Sequence, residues 1–201
     1  MRVKALIGLF AGMFMASTLA AAQVPPVPAG PPPLDPENTL LLDLSTGGRV
    51  AVQLRPDVAP GHVERMKTLA RKGFYNGLIF HRVIEGFMAQ GGDPKGDGTG
   101  GSDLPDLKAE FNRLPHVRGA LSAARGEEVD SANSQFFLML APRLTLDGKY
   151  TVYGRVVSGM NFVDAIARGE PPADPTRILQ ASIASDNRPA PLASPGATAP
   201  Q

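Results

Sequence analysis

The chain has 201 residues and no cysteine. That excludes thiolate catalysis, disulfide stapling and a lipid anchor attached through a leader cysteine. Histidine is scarce: His62, His81 and His116 are scattered, with no HExxH and no CxxC beside them, so no metal site is expected. No G-x-S-x-G elbow is present to carry hydrolase chemistry. A surplus of charge is missing too, with 20 basic residues against 19 acidic ones. Such a balance gives no reason to expect nucleic acid or an anionic membrane as partner.

Proline and glycine are abundant, at 20 and 22 residues, and many of the prolines lie near the two ends. Residues 1–22 read as an export signal. Arg2 and Lys4 precede an uncharged, mostly apolar core, and Ala20, Ala21 and Ala22 offer a small-x-small cleavage site before Gln23. The core is short for a membrane span. No twin-arginine pair precedes it, which favours general secretion into the periplasm or another extracytoplasmic space. Residues 23–37 read as a proline-rich linker, expected to be extended. Residues 187–201 share that composition and are expected to be a disordered tail. One domain, 38–186, lies between them.

Within the domain, residues 39–44 are apolar-rich and residues 49–54 alternate in period two; around Ser45-Thr46-Gly47-Gly48 they predict a hairpin. Pro60 suits the start of a helix and Gly73 its end. Val63, Met66 and Ala70 form the apolar stripe, with Glu64, Arg65, Lys67 and Arg71 on other faces. Residues 78–84 and 87–91 predict two strands around Glu85-Gly86, which sets Arg82 opposite Gln90. Further strands are predicted over 119–124, 135–140, 150–157 and 176–185. Ser158 is expected to cap a second helix, 159–168, closed by Gly169 and Pro171. Strands dominate and do not alternate with helices, which disfavours a βαβ sheet. The expected fold is mainly β, a closed antiparallel eight-stranded barrel capped by two α-helices. Gly96-x-Gly98-x-x-Gly101 matches a dinucleotide fingerprint in form only, because Pro105 and the surrounding Asp and Gly argue against the helix it requires.

The chemistry centres on one basic residue, Arg82, in an otherwise apolar and uncharged strand pattern. The run is FHRVIEGFMAQGGD (80–93), and SQFF (134–137) and LDGKYTVYGRV (146–156) accompany it. Arginine stays charged at any working pH, so it serves as a hydrogen-bond donor and not as a base. His81 is its neighbour, but adjacent strand residues point to opposite faces, so His81 reads as structural.

These three segments closely resemble the signature segments of the cyclophilin family of peptidyl-prolyl cis–trans isomerases, and the resemblance spans roughly 38–185. It implies an isomerase that needs no cofactor and acts on proline-containing polypeptides, here unfolded or partly folded exported proteins. By position, Arg82 matches the catalytic arginine, and Gln90 matches the residue that bonds the substrate backbone and orients that arginine. Phe87, Met88, Phe137 and Leu146 match the proline pocket. Ala124, Arg125 and Gly126 match the segment that pairs with the residue before proline. Three positions depart from the better-known pattern. Arg125 stands where Asn is frequent, Thr145 where Trp or Phe is usual, and Tyr150 at the pocket edge in place of His. The change at Thr145 implies weakened binding of cyclosporin. A monomer is expected. A proline-binding module without turnover and a scaffold domain are the alternatives from other classes.

Overall fold

The protein is described here by a computed structural model covering residues 34–191. The expected export signal (residues 1–22), residues 23–33 of the expected linker and residues 192–201 of the expected tail lie outside the described residues. The elements are β1 (Thr39–Leu44), β2 (Gly48–Leu54), α1 (Pro60–Arg71), β3 (Phe80–Ile84), β4 (Met88–Gly91), β5 (Ala120–Ala123), β6 (Phe136–Met139), β7 (Val152–Ser158), α2 (Met160–Asp164) and β8 (Ile178–Ile183).

The first hairpin forms as its alternation predicts. Leu40 and Leu42 face the core from β1, and Val52 and Val50 stand directly opposite them on β2. Burying each such side chain contributes about 1.5–3 kcal/mol. On the other face Asp43 and Arg49 are also opposed. They form a two-pronged ion pair at 2.8 and 2.9 Å. Gly47 closes the turn at φ 95°, a conformation that favours glycine.

Helix α1 starts at Pro60 as expected, but its free N–H groups are capped from far away. The Glu110 carboxylate accepts from Gly61 N–H and His62 N–H, both at 3.0 Å. At the other end Gly73 adopts φ 71°, and Phe74 N–H returns to Leu69 O at 3.0 Å. Val63, Met66, Leu69 and Ala70 are buried against the sheet. Lys67, expected on a face other than the apolar stripe, is buried as well. Its apolar stem lies along the core while Nζ reaches Glu37 at 2.6 Å.

The eight strands form one antiparallel sheet in the order β3-β4-β6-β5-β7-β2-β1-β8. It curls but does not close. It turns through 241° about its axis and leaves its edge strands 8 Å apart, so the expected closed barrel is corrected to an open half-barrel. The segment after α2 supplies the reason. Gly169 occupies the outer edge of β3: Val83 N–H donates to Gly169 O at 2.8 Å, and Gly169 N–H donates to Val83 O at 2.9 Å. The groups that a neighbouring strand would need are already paired there. The two edges approach only near residues 77–80 and 176–178, through the bridge Ile79–Arg177 and its flanking backbone bonds.

Two α-helices do lie over the sheet, but the second is shorter than 159–168. Ser158 ends β7 and caps nothing; Gly159 precedes the helix at φ 79° with no side-chain cap. A side chain at Gly159 would meet Arg49 O at 2.3 Å, so the close approach admits only glycine. The helix stops at Asp164, and Arg168 bends back over its end. Its Nη1 donates to Asp164 O at 2.7 Å and also to Ile166 O.

Part of the sheet carries apolar residues on both faces. Phe136, Leu138, Ala89 and Leu121 join the main core with the leucines of β1. Phe137, Met139, Met88 and Ala120 alternate with them and join Val152 and Ala124 in a second cluster on the opposite face. That second cluster is the floor of the site.

Candidate active site

One cross-strand row builds the site. Arg82 on β3 lies opposite Gln90 on β4, Gln90 opposite Phe137 on β6, Phe137 opposite Ser122 on β5, and Ser122 opposite Val152 on β7. The hairpin turn at Gly86, with φ 66°, sets this register. The irregularity in the β3–β4 ladder lies between Phe80 and Arg82 and leaves the pairing of Arg82 with Gln90 intact. The next row places Ile84, Met88 and Met139 side by side.

A cavity of about 170 Å³ opens above this row. Arg82, Phe87, Met88, Gln90, Ala124, Arg125, Phe137, Leu146 and Tyr150 line it. Nine of the ten site residues expected from the sequence therefore converge. The tenth, Gly126, lines an adjoining cavity of about 360 Å³ that shares Gln90, Ala124 and Arg125 with the first. Among the described residues, no Asp, Glu or His lines the smaller cavity.

The hydrogen bonds distinguish the polar groups. Arg82 is 41% exposed in its side chain, and its Nε donates to Glu170 Oε2 at 2.7 Å. Arg125 is committed elsewhere. Its guanidinium donates to Gly126 O, Glu127 O and Lys149 O and lies 4.9 Å from the Tyr150 ring centre. Gln90 Nε2 donates to Gln135 Oε1 at 2.9 Å. Gln135 in turn donates to Gly98 O and Gly100 O, tying the site to the glycine-rich loop. That loop contains no helix. It wraps around the Asp93 carboxylate, which accepts from the N–H groups of Lys95, Asp97 and Gly98. Burial pushes the Asp93 carboxyl up, but the N–H groups of Lys95, Gly98 and Gly100 outweigh it and hold it below its ordinary value.

Behind the floor stands His116, fully buried. Its ring stacks on Phe137 and meets Tyr150 edge-on, with centres 6.1 and 6.4 Å away. Nδ1 lies 2.8 Å from Asp147 Oδ1, which also accepts His116 N–H at 2.8 Å. These two bonds hold the Asp147 carboxyl below its ordinary range. They also pin the stretch that carries Leu146 and Tyr150 to the back of the cavity. Nε2 lies 3.0 Å from Ser122 Oγ, so the trio imitates a Ser-His-Asp relay. It cannot act as one: Ser122 is fully buried and its hydroxyl donates to Thr151 O.

The comparisons with known proteins agree with this geometry. Residues 41–183 match the family model described as "Cyclophilin type peptidyl-prolyl cis-trans isomerase/CLD". The chain belongs to the cyclophilin family. A probable peptidyl-prolyl cis-trans isomerase of Brucella suis is 47% identical over 196 residues, covering 90% of this chain and 96% of the relative. Peptidyl-prolyl cis-trans isomerase B of Bacillus subtilis is 43% identical over 129 residues, covering 63% and 89%. Among solved structures, the crystal structure of the cyclophilin AquaCyp293 from Hirschia baltica superposes with a TM-score of 0.71 at 30% identity, covering 78% of this chain and 77% of that one. A cyclophilin type isomerase from Cryptosporidium parvum, crystallised in the presence of the dipeptide Ala-Pro, gives 0.68 at 26% identity, covering 72% and 98%.

This cyclophilin is thus a peptidyl-prolyl isomerase acting on proline-containing substrates. Thr145 is exposed, in the 3₁₀ turn Leu144–Leu146, and is not part of the cavity lining. His81 is buried beneath Gly98, away from the cavity lining. Sequence reasoning missed Gln135, although SQFF contains it. It also missed the His116–Asp147 clasp and Glu170. The last lies 88 positions from Arg82, with no local pattern to mark it.

Proposed function

We propose that Arg82 drives the isomerisation by donating a hydrogen bond to the prolyl nitrogen of a bound X–Pro segment. The single observation that carries this reading is the cavity lining. Apart from Tyr150, its ionisable groups are two arginines, and Arg125 is engaged by three carbonyls. A cavity without a carboxylate or imidazole suits a reaction that needs no base. The barrier to rotation, roughly 18–20 kcal/mol, is amide resonance. Twisting the bond localises the lone pair on nitrogen, so a donor aimed there favours the twisted form over both planar forms. Glu170 occupies Nε, and Nη1 and Nη2 of Arg82 have no protein partner among the described residues, so they are the groups offered to substrate. Phe87, Met88, Phe137 and Leu146 grip the proline ring and exclude water, while Gln90 bonds the substrate backbone. Ala124, Arg125 and Gly126 pair with the chain before proline. Exposed Thr145 supplies no aromatic wall, so cyclosporin binds weakly.

The clients are exported proteins, folded after translocation. The leader features of residues 1–22 support this part of the reading. Nuclear magnetic resonance exchange on a short Ala-Pro-Phe peptide tests the mechanism. Fast exchange with the parent protein and slow exchange with a folded Arg82→Ala variant are expected; equal exchange in both would remove Arg82 from the chemistry. Mass spectrometry of the exported protein tests the destination, with a start near Gln23 expected.

A further inference from the structure

Arg82 lies on an edge strand, and the element beyond that edge is the connection between α2 and β8. Two backbone bonds, Val83 N–H to Gly169 O at 2.8 Å and Gly169 N–H to Val83 O at 2.9 Å, fasten that connection beside the functional row. Gly169 is required there. It has φ 143°, and a side chain would meet Pro172 Cα at 2.7 Å. The next residue, Glu170, extends its carboxylate to Arg82 Nε at 2.7 Å. Gln90, the cross-strand neighbour of Arg82, directs its amide to Gln135 instead. Among the described residues, Glu170 therefore makes the one side-chain hydrogen bond to this guanidinium.

We propose that Glu170 is the positioning residue of this isomerase, holding the Arg82 guanidinium by Nε so that its terminal nitrogens face the proline cavity. The pair is exposed, 41% at Arg82 and 52% at Glu170. An exposed pair adds little to stability. Its value lies in orientation: a bond to Nε fixes the plane of the guanidinium fork without using the Nη donors. A long side chain left free would divide its time among rotamers, and only a fraction would present a donor to the substrate nitrogen.

This inference rests on the assignment of Arg82 as donor, and the experiment separates the two. Peptide exchange is measured for the parent, Glu170→Ala, Glu170→Gln, Arg82→Ala and the Arg82→Ala/Glu170→Ala double variant, with thermal melts of each. Glu170→Ala is expected to lower kcat/KM about five- to tenfold with an unchanged melt. Glu170→Gln, whose amide oxygen can still accept from Nε, is expected to recover most of that loss. In the Arg82→Ala background, removing Glu170 is expected to have no further effect, because nothing remains to be positioned. Parent-level or faster exchange in Glu170→Ala would overturn the inference. So would an equal loss with and without Arg82, which a merely structural role would give. Parent-level exchange in Arg82→Ala would instead overturn the donor assignment itself.

Discussion

Phe136 and Phe137 are neighbours on one strand, identical in chemistry and opposite in use. Phe136 points into the half-barrel, where it is fully buried and meets Tyr75 and Phe80 edge-on. Phe137 points the other way, lines the candidate cavity and leans on His116. The same division runs through the neighbouring strands. Ala89 and Leu121 serve the core, while Met88, Gln90 and Ala120 serve the outer face. Each face also has a buried histidine held by a carboxylate. On one side His62 pairs with Glu110, and on the other His116 pairs with Asp147. The comparison teaches that one stretch of sheet carries the core on one side and the candidate site on the other, separated by a single residue of register.

The sharpest way to break that comparison is to truncate both rings. Phe136→Ala should cost about 3–5 kcal/mol in urea unfolding, the range for a large buried aromatic. Phe137→Ala should cost less stability but lower kcat/KM by at least about tenfold, or 1.4 kcal/mol of barrier. Similar stability losses with parental turnover in both would contradict the division of labour. Next in size, Arg82→Ala should reduce turnover about a hundredfold, near 2.7 kcal/mol. It should leave the unfolding midpoint almost unchanged, since its ion pair is exposed.

The two histidine clasps sharpen the contrast through pH. Burial pushes the Glu110 carboxyl up. The His62 ring and the N–H groups of Gly61 and His62 outweigh that and hold it below its ordinary value, as the bonds from His116 do for Asp147. A lowered folded-state pKa gives stability that is present above the unfolded value and lost as pH falls through the folded one. Glu110→Gln and Asp147→Asn should therefore be less stable than the parent at pH 7, and the gap should shrink as pH falls below about 4. Burial also lowers the His62 pKa, so that residue weakens the fold as pH drops below its ordinary range. Only Asp147→Asn should slow peptide exchange at pH 7; a matching loss in Glu110→Gln would show that the clasps are not specific to their faces. The smallest effect expected is at the rim. Thr145→Trp should tighten cyclosporin binding, read by calorimetry, with unfolding unchanged within about 0.5 kcal/mol.

Much of this was legible in the chain. Period-two patterning marked the first hairpin, Pro60 and Gly73 bracketed α1, and Glu85-Gly86 set Arg82 opposite Gln90. These are local signals: turn chemistry, helix ends and alternation each act within a few residues. The misses are non-local. Lys67 was set apart from the apolar stripe, but Glu37 gives its amine a partner at 2.6 Å and lets its stem lie against the core. Ser158 carried a cap signature, yet β2 approaches so closely that Gly159 takes the helix entry without it.

The sequence by itself determined the apolar run that gives β6 two apolar faces, the register of the β3–β4 hairpin, and the family to which the chain belongs. Tertiary structure decided how far the sheet curls, which histidine supports the pocket, and what holds Arg82. The physical reason is the same in each case. Whether Gly169 or β8 takes the edge of β3, and whether Gln90 or Glu170 takes the guanidinium, depends on groups some 90 residues apart competing for one hydrogen-bond partner. No periodicity records the outcome of such a competition.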